Sequence, residues 1–177
     1  LKSRGLEKVG LIVSDGLNNI EEVAERHFSG VEVQLCSVHL QREICNRVRP
    51  KDKRAISSKL SEVFRKNDPK RTVEDGVKDF SKFAKEWHEH YPFLSKIADG
   101  ERIYYYFTYL KYDVVVRRYI HSTNWIERFN RQIKKGATYK CAFPSVDSAL
   151  HLVGSIALNS SYLGRRIGDL IGGLKKL

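Results

Sequence analysis

Residues 9–36 read VGLIVSDGLNNIEEVAERHFSGVEVQLC, and this stretch decides the fold class. VGLIVSDG is a short apolar run closed by Asp15-Gly16, the pattern of a buried strand that delivers Asp15 to its carboxyl end. LNNIEEVAERHF follows with Leu17, Ile20, Val23, Ala24 and Phe28 at helical spacing, and Ser29-Gly30 stops it. VEVQLC (31–36) is then a second strand. Strand, helix and strand joined by connections this short make a right-handed parallel unit, so the expected class is α/β.

Beyond Val38 the pattern turns helical. SVHLQREICNRV reads as one helix and DKRAISSKLSEVFRK as another after Pro50. A third runs through DPKRTVEDGVKDFSKFAKEWHEH, with Val73, Val77, Phe80, Phe83, Ala84 and Trp87 on one face and Pro69 and Pro92 as brackets. RIYYYFTYLKYDVVVRRYI (102–120) mixes strand-forming residues with a helical spacing of Tyr105, Tyr109 and Tyr112; it is expected to be helix first and then an extended approach to Ser122. A helix over 124–135, a basic loop GATYKC and a last helix, PSVDSALHLVGSIALNSSYL, with Pro144 near its start, complete the chain. Either two domains succeed one another, or a single α/β core is interrupted by a helical insertion that leaves Asp15 and Glu127 together.

The composition is globular, with 41% hydrophobic and 30% charged residues. No window approaches the roughly 18 unbroken apolar residues of a membrane helix. LKSRGLEKVG lacks the apolar stretch of a signal peptide, which points to a cytoplasmic protein without a membrane partner. With no Met anywhere, the chain reads as an excised fragment or as the back part of a longer protein. Cys36, Cys45 and Cys141 are odd in number and irregular in spacing, so reduced thiols are expected. The net charge of +11 favours a polyanion, with nucleic acid first. Between Arg117 and Lys140 there are seven basic residues, Arg117, Arg118, Arg128, Arg131, Lys134, Lys135 and Lys140, against one acid, Glu127.

Each chemical candidate has a plain structural alternative. Asp15 suits a metal-binding carboxylate at a strand end facing a ligand crevice, or an Asp-Gly turn capping the next helix. Asn124-Trp125-Ile126-Glu127 resembles a capping box, and a carboxylate in a first turn suits the helix dipole. Ile126, Phe129 and Ile133 would form the buried stripe of that helix, leaving Glu127, Arg131 and Lys134 on an open face at i, i+4 and i+7. Cys36-Ser37-Val38-His39 is a Cys-x-x-His pair without the further ligands that structural zinc requires. Tyr104, Tyr105, Tyr106, Tyr109 and Tyr112, with Trp87, are dense enough to build a core rather than to stack on bases. No Walker loop, GxGxxG or nucleophile elbow is present.

Taken together and in order, LIVSDGL, VQLCSVHLQRE, YIHSTNWIERFNRQIKK and CAFPSVDSAL resemble the catalytic region of the mutator-type insertion-sequence transposases over roughly residues 6–160. The resemblance implies an α/β fold with a partial RNase H-like core and a large all-helical insertion. Its parts would be 1–44 (strand, helix, strand), 45–119 (the insertion) and 120–177 (closing helices). It implies metal-dependent DNA strand cleavage and transfer of the DDE type. Asp15 and Glu127 match the second and third acids and would ligate Mg²⁺ or Mn²⁺. Cys36 and His39 match the segment after the second strand, with His39 near the active site. Asn124 and Asn130 match the helix motif, and Arg128, Arg131, Lys134 and Lys135 would bind DNA. The partners implied are double-stranded DNA, as transposon ends and target, and further copies of the chain on that DNA, at the nucleoid of a prokaryotic cell. The family's first acid lies on a strand earlier than any in this chain, so these 177 residues are expected to be inactive alone. The alternative is a non-catalytic DNA-binding or assembly module derived from such an enzyme. Lys51, Lys53, Arg54, Lys59, Arg65 and Lys66 would give the helical block DNA or subunit contacts.

Overall fold

The computed structural model describes residues 2–160 and divides the chain into two compact units, Leu1–Ser122 and Thr123–Leu177. The first opens as its sequence predicts. Strand β1 (Leu11–Ser14), helix α1 (Ile20–His27) and strand β2 (Glu32–Leu35) form a two-stranded parallel sheet, paired in register from Leu11 with Glu32 to Ser14 with Leu35. Ala24, Val31, Val33 and Leu35 are its buried centre, with Ile12, Ile20, Phe28, Tyr105 and Tyr106 packed against them. β1 is less buried than its apolar run suggests. Only Ser14 is buried, because among the described residues the strand pairs on one side alone.

The helical block consists of α2 (Ser37–Arg47), α3 (Lys53–Val63), α4 (Val73–Glu86) and a short α5 (Phe93–Ala98). Thr72 and Asp75 form a capping box that starts α4. Ile56, Leu60, Phe80, Leu94 and Phe107 are fully buried at its centre, each side chain contributing about 1.5–3 kcal/mol. The described residues are therefore mostly helical, with α/β character among them confined to the small sheet.

Residues 102–120 differ in part from the expectation. The tyrosine run forms two 3₁₀ turns, Glu101–Tyr106 and Thr108–Lys111, and the stretch expected to be extended is helix α6 (Val114–Ile120). Two local causes are visible. Asp113 caps α6 by accepting from the Val115 N–H, which offsets the poor helix propensity of three successive valines. Upstream, the buried Gln34 amide donates to the Tyr106 carbonyl and accepts from the Tyr109 N–H, so its side chain ties the 3₁₀ segment to β2. Of the tyrosines, Tyr109 is fully buried and Tyr104 is exposed, so the cluster is core at one end only.

The second unit, as far as Ser160, is a helical hairpin of α7 (Asn124–Lys140) and α8 (Val146–Asn159). The expected loop GATYKC is instead helical through Lys140. Gly136 is tolerated inside α7 because α8 crosses closely there: a Cβ at this position would stand 3.3 Å from Leu152 Cδ1 and 3.4 Å from Ile156 Cδ1. Ser145 and Ser148 form the capping box of α8, and Ser160 donates to Gln132 of α7. The expected continuation of the last helix into residues 161–163 lies outside the described residues.

Candidate active site and basic helix

At the carboxyl end of the sheet, β1 and β2 finish side by side. The Cys36 N–H donates to the Ser14 carbonyl at 2.7 Å, so Asp15 leaves β1 across from the residue that opens α2. Asp15 is exposed, whereas Cys36 is completely buried. His39 lies half-buried in the first turn of α2, so the Asp-Gly step and the Cys-x-x-His segment share one end of the sheet. The fully buried Ser37 turns both its backbone N–H and its hydroxyl, each at 3.0 Å, onto the carbonyl of His121, which caps the end of α6.

In the second unit, α7 starts one residue earlier than its sequence suggests. Thr123 is the N-cap, Asn124 is already helical, and the expected capping box of Asn124 with Glu127 does not form. The Glu127 carboxylate instead accepts from the Thr123 hydroxyl at 3.1 Å, and the Glu127 N–H donates to the Thr123 carbonyl. That bond fixes one carboxylate oxygen. The buried stripe is also corrected: Ile126 is 51% exposed, and Phe129 and Ile133 are only half-buried. These three nevertheless share the side of α7 that carries Gly136, where α8 packs.

The opposite side is cationic. At 3.6 residues per turn, Glu127, Arg128, Arg131, Lys134 and Lys135 fall within a sector of about 120°. The four cations are exposed and Glu127 is half-buried at their N-terminal end. Arg117, counted among the basic residues of this region, belongs elsewhere. It is 3% exposed, and its guanidinium donates to the carbonyls of Tyr112, Asp68 and Leu110. It is a structural cation in the first unit.

Comparison with known proteins gives this pattern a lineage. A family model described as "Transposase, Mutator family" matches residues 1–163. The chain belongs to the mutator family of transposases. The chain is 30% identical over 159 residues to the transposase of insertion sequence IS1201 from Lactobacillus helveticus, covering 90% of this chain and 42% of that protein. It is 25% identical over 149 residues to the IS905 transposase of Lactococcus lactis, covering 84% and 36%, and 28% identical over 169 residues to the ISRM3 transposase of Rhizobium meliloti, covering 94% and 40%. It thus spans under half the length of these insertion-sequence transposases.

The donor chemistry suits the divalent ion that the family resemblance implies. Mg²⁺ takes hard oxygen ligands, commonly one or two carboxylates completed by water and substrate phosphate. Asp15 presents such an oxygen in the first unit and Glu127 in the second. Among the described residues no cluster of three or more His, Cys, Asp or Glu side chains comes together. No helix of the described residues is long and apolar enough to cross a membrane.

Sequence reasoning missed His121 and its contact with Lys66. The imidazole Nε2 lies 3.2 Å from the Lys66 ammonium, across 55 positions of sequence, and Nδ1 lies 3.1 Å from the Arg117 carbonyl. Burial, and secondarily the Lys66 charge, push the His121 ring down to about 4, so it is neutral near pH 7. With Nδ1–H donating to Arg117, Nε2 is left to accept from Lys66. Nothing in residue spacing announces such a pair.

Proposed function

We propose that this chain carries the rear part of a DDE-type DNA transposase active site, built on an RNase H-like arrangement in which the helical block is an insertion. The observation that carries the proposal is the α7 face, where one half-buried acid heads four exposed cations, in a chain of the mutator family. A lone carboxylate among cations is understandable when a cation and a phosphate backbone must both be met there. Neutralising the neighbours would need more than one acid, and each exposed pair contributes only about 0.3–0.5 kcal/mol.

In this reading Asp15 and Glu127 hold Mg²⁺ or Mn²⁺. Such an ion, when bound, promotes in-line displacement at phosphorus by activating water or a 3′-hydroxyl and stabilising the leaving oxygen. The residues of the chain perform the rest. Asp15 reaches out from the end of a paired strand, so its position is set by the sheet. Thr123 holds one oxygen of Glu127 and orients the other. Arg128, Arg131, Lys134 and Lys135 seat DNA phosphates along α7, giving affinity and register with little sequence choice. His39, at the same sheet end as Asp15, orients water or a phosphate oxygen. The enzyme would act on double-stranded DNA, at transposon ends and target, as a homo-oligomer at the nucleoid.

The test is the salt dependence of duplex binding. Replacing Arg131, Lys134 and Lys135 singly by Gln is expected to weaken binding and to reduce the slope of log K against log salt by about 0.9 each. Unchanged slopes in all three variants would remove DNA from the α7 face.

A further inference from the structure

We infer that Lys66 is a phosphate-binding residue beside the strand-end site, seating one backbone phosphate of bound DNA, and that His121 is the residue that positions it. The inference rests on the DNA-cleaving reading above and adds a contact from the helical block to it.

The segment that carries Lys66 is held from both sides. The Tyr109 hydroxyl and the Arg71 guanidinium both donate to the Arg65 carbonyl, and Arg117 donates to the Asp68 carbonyl at 2.6 Å. Two buried arginines thus clamp the connection between α3 and α4 on either side of one lysine. This clamping fixes the course of the backbone from which Lys66 leaves.

The ammonium has the uncompensated character of an anion subsite. It is half-buried, and among the described residues no carboxylate forms an ion pair with it. Burial lowers its proton affinity, with no acidic neighbour to oppose the effect. Its partner is the neutral His121 ring at 3.2 Å. An ammonium has three donors, so the ring takes one and leaves others for a ligand. The neutral ring adds direction without cancelling charge, whereas a carboxylate in its place would remove the field that attracts phosphate.

The location connects the pair to the chemistry. His121 gives its carbonyl to the N–H and hydroxyl of Ser37, and the preceding Cys36 N–H is bonded to the Ser14 carbonyl, one residue before Asp15. A short chain of backbone contacts therefore ties the Lys66 support to the end of β1.

The test uses Lys66→Gln, His121→Gln and His121→Leu in the 177-residue chain, with duplex binding measured against salt and folding checked by thermal melting. Lys66→Gln is expected to lower the slope by about 0.9, the signature of one lost phosphate contact. His121→Gln keeps an acceptor for the ammonium and should retain the wild-type slope, while His121→Leu should match Lys66→Gln. A merely structural His121 would change melting temperature in both variants without this split. An unchanged slope in a folded Lys66→Gln variant, alongside reduced slopes for the α7 variants, would overturn the inference and leave the DNA reading standing. A chain that binds no duplex at all would overturn both. A His121 ring resonance that responds to inorganic phosphate, with no slope change on duplex, would make Lys66 a free-anion site and overturn the DNA contact.

Discussion

Gly76→Ala should destabilise the helical block even though alanine is the better helix former. Gly76 lies within α4 and is buried, and a Cβ there would stand 2.4 Å from Phe107 Cδ1 and 2.8 Å from Cγ. Carbon atoms settle at about 3.5–4.0 Å, so the ring must withdraw by roughly 1 Å. Phe107 has nowhere to go: it is fully buried, stacked on Phe64 at 4.8 Å between centroids and tilted against Tyr109 at 6.4 Å. Removing a mid-helix glycine is worth about 1 kcal/mol. Overpacking a tight core costs about 1–3 kcal/mol, and a displaced ring with both neighbours buried belongs in the upper half of that range. The net loss is about 1–2 kcal/mol. With a urea slope of about 1–3 kcal/mol per molar, the midpoint should fall by roughly 0.3–2 M. The Tyr109 N–H, bonded to Gln34 of β2 two residues beyond Phe107, should exchange faster, because the same displacement loosens the tie to the sheet. A variant as stable as the parent, or more so, would mean that Phe107 can yield to a Cβ at position 76 without loss of packing.

Gly154→Ala on α8 is the counterpart, since nothing lies within 4 Å of its Cβ position; thermal melting should show stabilisation of up to about 1 kcal/mol, and a loss would contradict the open surface assigned there. Stability should also fall on acidification because of His121. Its folded value is depressed, so the contribution is full above about 6.5 and is lost as pH drops towards about 4. The ring faces Lys66, the edge of Tyr109 and the backbone of Arg117 and Arg118; the two backbone contacts favour its protonation but are outweighed by burial and by the Lys66 charge. The upper bound is about 3 kcal/mol, roughly halved by the partial exposure of the ring. Denaturation midpoints of wild type and His121→Gln at pH 7 and pH 4.5 check this, and equal losses in both would contradict it. Arg117→Ala should cost at least about 3 kcal/mol, by leaving three carbonyls without their donor, and a near-neutral midpoint would return Arg117 to the list of surface cations. Thr123→Val should leave duplex affinity unchanged while lowering Mn²⁺ affinity severalfold by calorimetry, because it removes the Thr123 hydroxyl that donates to the Glu127 carboxylate; no change in Mn²⁺ affinity would separate Thr123 from the site.

What the sequence made legible was what local rules control. The run closed by Asp15-Gly16 announced a strand end, and the spacing of Glu127, Arg131 and Lys134 announced one face of a helix. What escaped was fixed by tertiary contact. Gly136 reads as a break unless α8 is known to cross within van der Waals range of it. The valines at 114–116 read as extended until Asp113 is seen capping a helix. Asn124 competes with Thr123 for the N-cap, and the chain resolves this by a hydrogen bond that leaves Glu127 held differently from a capping box. Arg117 is indistinguishable in sequence from Arg118, yet one is buried on three carbonyls and the other exposed over the Tyr119 ring. Lys66 and His121 meet across 55 positions of sequence, beyond the reach of any local pattern.

The proposed function has Asp15 and Glu127 serve one metal-binding site. It is tested most directly by adding Mn²⁺ to isotope-labelled protein and mapping which amide signals broaden. Selective broadening is expected around Asp15 and around Glu127 at the same low Mn²⁺ concentration, with both regions losing it in Asp15→Asn and both losing it in Glu127→Gln. If each substitution removes broadening only at its own position, the two carboxylates act separately, and Glu127 returns to being an acid that steadies the first turn of a basic helix.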